Sequence, residues 1–241
     1  MLKKSKISKI EIGSEIWKVE RLGKFTSSNI WKIMGDRGFG ETGLNYIKTR
    51  VGECMTGISS EKEFLDNDSL RWGLFHEAEA VNKFGLSKGL PYIVCQKLIV
   101  DGDKFGGTPD GIIVLSESPD ELEYKVETLE VKCPPTYDNY ITLFLCETTA
   151  DLKRFRKEYY WQVLDQMLLC ESIIGYFMCY HPDFKSGNMN VITFNRMYSE
   201  IIRGSKKFPI HDDIKLLKER KGEAVNKFNE IKQKLLDKDR F

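Results

Sequence analysis

No stretch of this chain approaches the eighteen or so uncharged apolar residues that a membrane-crossing helix requires, and the opening MLKKSKISKIEIG has basic residues with no apolar run behind them. Neither a membrane span nor a secretory leader is expected, which places the protein in the cytoplasm. Cys54, Cys95, Cys133, Cys146, Cys170 and Cys179 form no CxxC pair, so neither a zinc site nor a disulfide framework is indicated, and reduced, mostly buried thiols are expected. An excess of one charge is missing too: 37 basic and 36 acidic residues leave a net +1. No global basic field announces a nucleic-acid partner, and positive charge would have to gather in one channel or on one face. His76-Glu77 does not open a zinc-protease HExxH motif, because Ala80 stands where the second histidine belongs.

What remains is ample material for a core, with 41% hydrophobic and 30% charged residues in 241. The length fits a single α/β domain over residues 1–241, its core at about 21–195, with a helical extension over 212–241. Residues 7–20 alternate around Gly13-Ser14 and suggest a hairpin or extended arm. Thr26, Ser27 and Ser28 precede NIWKIMG and predict a two-turn helix ending near Gly35. The glycine-rich GDRGFGETG lacks the Lys-Ser/Thr ending of a P-loop and reads as a flexible connection. A helix from Leu44 to about Met55 and a polar loop through ISSEKEFLDND follow.

Ser69–Ser87 predicts a helix with Leu70, Leu74, Val81 and Phe84 on one face and Glu77 within that stripe. A carboxylate there needs a partner or a place at the stripe's solvated edge. Strands are expected over 91–100, in TPDGIIVL and in VETLEVKC, with an acidic loop SESPDELEYK between the last two. Thr149–Cys170 reads as one helix with Leu152, Phe155, Tyr159, Val163, Met167 and Cys170 in register. IIGYFMCY predicts a buried strand and NVITFNR an edge strand. From about Asp212 an amphipathic helix carries Ile214, Leu217, Val225, Phe228, Ile231 and Leu235 on its apolar side, with a break expected at Gly222 and its lysines on a solvated face.

Three features converge on one candidate site. Glu130 and Lys132 are two residues apart on a strand, so they project from one face while Val131 points into the core. Asp110 ends a Thr-Pro-Asp-Gly turn that holds its side chain at a strand edge, and pairing of the two strands would bring it beside Glu130. Two carboxylates so placed repel unless a hard cation lies between them, which suggests Mg²⁺, with Mn²⁺ as a substitute. Each fragment alone fits a surface salt bridge; together, with Glu77 upstream, they point to chemistry.

RWGLFHEAEA, GGTPDGIIV, LEVKCP and YYWQVLDQM, in that order, resemble the lambda exonuclease and YqaJ-type recombinase nucleases of the PD-(D/E)XK superfamily, over roughly Arg21 to Asp183. The resemblance implies a restriction-endonuclease-like α/β core with a central mixed sheet flanked by helices. It also implies Asp110, Glu130 and the Val131 carbonyl as metal ligands, Glu77 contributing to the metal site, Lys132 orienting and helping to activate water, and Gln162 helping to position it. RLGKFTSS resembles the segment that holds a terminal 5′-phosphate, with Arg21 as anchor and Ser28 beside it at a helix N-terminus, where N–H groups and the dipole favour an anion; a plain capping role for Ser28 is compatible. Two metal ions about 3.5–4 Å apart would then serve in-line hydrolysis of a phosphodiester. The resemblance further implies 5′-to-3′ digestion of double-stranded DNA ends, a ring-shaped homotrimer, a single-strand annealing protein as partner, and a phage or prophage gene expressed in a bacterial host. Alternatives on the same residues are an endonuclease or nickase, or a non-catalytic DNA-binding module; the latter usually lacks an acidic ligand or the lysine, and all are present here.

Overall fold

The computed structural model describes residues 1–8, 10, 13–60, 68–90, 93–94, 97–120, 122–202, 205–207 and 209–238. Its strands are β1 (Leu2–Lys3), β2 (Phe25–Thr26), β3 (Ile93–Val94), β4 (Ile99–Asp101), β5 (Phe105–Gly107), β6 (Gly111–Glu117), β7 (Glu123–Lys132), β8 (Ile174–Tyr180), β9 (Met189–Asn195), β10 (Glu200–Ile202) and β11 (Ser205–Lys207). The helices are α1 (Glu15–Arg21), α2 (Gly40–Thr56), α3 (Asp68–Lys88), α4 (Tyr137–Phe144), α5 (Thr149–Phe155), α6 (Lys157–Leu169) and α7 (Pro209–Lys238).

A mixed sheet in the order β3-β6-β7-β8-β9 forms the centre, with β1 paired to the first residues of β7. β6 and β7 are antiparallel, β7 and β8 parallel, β8 and β9 antiparallel. The parallel step needs a crossover, supplied by α4, α5 and α6. Along β7 the side chains alternate as a period of two requires. Val126 belongs to the main core cluster, whereas Leu129 and Val131 belong to a second cluster with Ala80, Val81 and Phe84 of α3. Helices thus cover both faces, α6 one and α3 the other. β8 admits α6 closely only because Gly175 lacks a side chain: a Cβ there would lie 2.7 Å from Met167.

Several expectations change in detail. Among the described residues of 7–20 no hairpin is formed: Ser14 accepts a hydrogen bond from the Trp17 N–H at 3.2 Å and starts α1, which buries Trp17 and leaves Ile16 and Val19 exposed. The capping hydroxyl outweighs the short alternation; residues 9, 11 and 12 lie outside the described ones. The segment after Thr26 is a 3-10 helix over Ser27–Ile33, and α2 starts at Gly40, inside the stretch read as a connection. Most of the polar loop before α3, residues 61–67, is outside the described residues. The strand expected over 91–100 is two pieces in different sheets, β3 against β6 and β4 against β5. The helix expected over 149–170 is two, since Arg156 departs to φ −146°, ψ 63° and ends α5. This turn separates the capping box of Thr148 and Asp151 from α6, which lies on the sheet. Phe155, expected in the core, is half exposed at the break, and Leu74 and Leu235 are likewise exposed.

α7 runs unbroken through Gly222 for 30 residues. One glycine costs a helix only about 1 kcal/mol, and burial of Ile210, Ile214, Leu217, Ala224 and Phe228 offsets it. Phe228 packs edge-on against Phe25, ring centroids 6.2 Å apart, so the last helix closes the core begun by β2. Its lysines are not all solvated, because Lys221 is buried.

Candidate functional site

The β6–β7 register pairs Gly111 with Leu129. In an antiparallel ladder the next step outward sets Asp110 opposite Glu130, as the sequence spacing anticipates. Asp110 is fastened there by its Oδ2, which accepts the Val131 backbone N–H at 2.7 Å. Glu130 is 1% exposed and its carboxylate is fully engaged by donors: Gln162 Nε2 donates to Oε1 at 2.6 Å and Gln166 Nε2 to Oε2 at 2.6 Å. Lys132 completes the set with an ion pair to Glu130 Oε1.

The electrostatics follow from this crowding. Desolvation and the neighbouring Glu130 charge, with a contribution from Glu77, push the Asp110 carboxyl well above the ordinary range, against the pull of Lys132 and the Val131 N–H. Desolvation works against the Lys132 ammonium, but Glu130 and Asp110 outweigh it and hold the group above its ordinary value. Lys132 therefore stays protonated at neutral pH. The adjacent Cys133 thiol is pushed up to about 12 by burial and then by Glu77 and Asp110, so it remains a thiol.

A cleft of about 440 Å³ opens beside Lys132 and Cys133, lined also by Glu77, Val131, Arg156 and Tyr159 among others. Glu77 faces it from α3. The stripe read as core divides here: Val81 and Phe84 are buried, while Leu74 lines the cleft with Glu77. On the far side of the glutamines, a smaller cavity of about 110 Å³ is lined by Trp17, Arg21, Ser27, Ser28, Thr108, Gln162 and Gln166. Arg21 lies 4.3 Å over the Trp17 ring, which fixes the plane of its guanidinium. Ser28 is exposed and sits in the first turn of the 3-10 segment without capping it; the N-cap position is Thr26, with no side-chain cap. The segment has only seven residues, so the helix-terminus electrostatics expected for Ser28 are weak, and Arg21 is the principal charge of the cavity.

Glu130, Lys132 and Gln162 are thus in direct contact and Asp110 is bonded to the intervening Val131 N–H, while Glu77 shares a cleft with Lys132, and Arg21 and Ser28 adjoin through Gln162. Sequence reasoning missed Gln166. Its signal was present: four residues after Gln162, it shares a helix face with it.

Among the described residues no group of three or more His, Cys, Asp and Glu is gathered tightly enough to enclose a metal ion. The donors nevertheless suit a magnesium-like ion, which is bound through one or two carboxylates with water and phosphate oxygens completing its shell.

Three solved structures share the architecture. An alkaline exonuclease from Laribacter hongkongensis superposes with a TM-score of 0.65 at 19% identity, over 93% of this chain and 99% of the other. The same enzyme in complex with dAMP gives 0.64 at 19%, with the same coverage. A phage related exonuclease from Haemophilus somnus gives 0.61 at 13%, covering 88% and 96%. At such identities the likeness establishes the fold alone, a mixed α/β core flanked by helices with a long C-terminal helix. No curated protein matches the chain. The family model described as a YqaJ-like viral recombinase domain matches residues 16–172, a span that holds every carboxylate, glutamine and cation of the site, and the chain belongs to that family.

Proposed function

We propose that this protein is a metal-dependent exonuclease that digests double-stranded DNA from 5′ ends in phage-type recombination. The observation that carries the reading is the meeting of Asp110, Glu130 and Lys132 at one strand edge under Gln162 and Gln166. Structural likeness to two exonucleases supports it.

Asp110 and Glu130, with the Val131 carbonyl and Glu77 nearby, would hold Mg²⁺, or Mn²⁺ in its place. When bound, the ion supplies Lewis-acid polarisation of the scissile phosphate and a more acidic water. The chain's own groups do the rest. Lys132, held protonated, acts as a hydrogen-bond donor and fixed positive charge rather than a base: it orients the attacking water and stabilises charge developing on the phosphoryl oxygens. Gln162 and Gln166 hold the Glu130 carboxylate in one orientation, and Oε1 of Gln166, buried with no partner among the described residues, can accept a hydrogen bond from water or substrate. Arg21 and Ser28 would receive a terminal 5′-phosphate in the smaller cavity, fixing which bond reaches the acids. A homotrimer, a single-strand annealing partner and the cytoplasm of a bacterial host complete the proposed setting.

End-labelled linear duplex and covalently closed circular duplex, incubated with Mg²⁺, test the reading. Mononucleotides released from the 5′ end of the linear form, with circles intact, are expected. Rapid loss of circles would instead favour an endonuclease.

A further inference from the structure

Lys221 is a buried cation on a helix whose other lysines are exposed or half-buried, and α7 lies wholly outside the matched family segment. Its ammonium donates to Asp165 Oδ1 at 2.7 Å and sits 4.1 Å over the Phe105 ring of β5. The other oxygen of Asp165 accepts the Ser27 hydroxyl at 2.7 Å. Lys221, Asp165 and Ser27 are all buried. Ser27 Oγ in turn occupies the space that a side chain on residue 107 would take: a Cβ there would lie 2.0 Å from it, which is why this position is glycine.

One chain of contacts therefore runs from the terminal helix into both arms of the site. Ser27 precedes Ser28 and lines the smaller cavity, Gly107 lies three residues before Asp110, and Asp165 sits on α6 between the two glutamines that grip Glu130. A buried ion pair contributes little net stability, because desolvating both charges offsets their attraction, but it fixes geometry through directional bonds.

We propose that Lys221 is a positioning residue for recognition of the DNA end: through Asp165 and Ser27 it sets the cavity wall that receives the terminal phosphate. This rests on the reading of Arg21 and Ser28 as the phosphate site. An apolar residue at 221 would leave α7 docked but the cavity wall untethered.

The test measures binding of a hairpin duplex carrying either a 5′-phosphate or a 5′-hydroxyl, by fluorescence anisotropy in EDTA, for the full chain and for Lys221→Met and Ser27→Ala. The wild type is expected to prefer the phosphorylated end about tenfold. Both variants should lose that preference while binding the hydroxyl end as the wild type does; a merely structural role would weaken binding of both ends equally. Should Lys221→Met not fold, the double variant Lys221→Met with Asp165→Asn, which leaves no unpaired buried charge, decides in its place and should lose the preference in the same way. A preference retained in the folded variants would overturn the role of Lys221 and leave the phosphate site standing. A wild type with no preference would overturn the phosphate-site reading and this inference with it.

Discussion

The two faces of β7 make opposite demands on neighbouring residues. Leu129 and Val131 are packed beneath α3 among apolar side chains, as any central strand would be. Glu130 and Lys132, interleaved with them, face α6 and place a carboxylate and an ammonium under its two glutamines. Apolar packing on one side can stabilise the strand while the other holds a buried carboxylate and the ammonium paired with it. Stability and chemistry are thus divided between alternate residues of one segment, and substitutions one position apart should separate them.

The largest effect is expected from Lys132→Ala, which removes the protonated donor: cleavage should fall by about 10²–10³-fold or more, with metal-independent DNA binding retained in a gel-shift assay. Normal turnover would remove the proposed mechanism. On the opposite face, Leu129→Ala should cost about 2–5 kcal/mol of stability in chemical denaturation, while the residual folded protein keeps its rate per molecule. A selective loss of rate at full stability would break the division of labour between the faces. Arg21→Ala, away from both faces, should reduce digestion of 5′-phosphorylated ends about tenfold and spare 5′-hydroxyl ends, a difference of about 1.4 kcal/mol; equal losses would argue against an anchor. The smallest effect belongs to Thr148→Ala, which deletes a capping box at the start of α5 and should cost about 1 kcal/mol in melting experiments without altering catalysis.

The same contrast explains what was legible in the sequence. Asp110, Glu130 and Lys132 could be read because strand alternation and one antiparallel pairing suffice to bring them together. Both are short-range rules. Gln166 was visible only as a neighbour of Gln162 on a helix face, and it acquires meaning once α6 is laid across Glu130. Lys221 could not be read at all: its pattern is that of a solvated lysine, and its partner lies 56 residues away on another helix. Periodicity ran through Arg156 as though α5 and α6 were one helix, since the break changes direction without interrupting the apolar spacing. Of the hairpin or extended arm read over residues 7–20, Ile7 does pair antiparallel with Ile99, and the second half is helical for a local reason, the cap at Ser14.

The contact of Phe228 with Phe25 has a consequence for biosynthesis. These rings are 203 residues apart in the chain, and a ribosome adding about 5–20 residues per second separates their appearance by roughly 10–40 s. Throughout that interval the nascent polypeptide holds its acidic residues without the helix that seals the core behind them. The core behind Asp110, Glu130 and Lys132 should therefore close only once Phe228 and the rest of its helix have been synthesised, well after those three residues themselves.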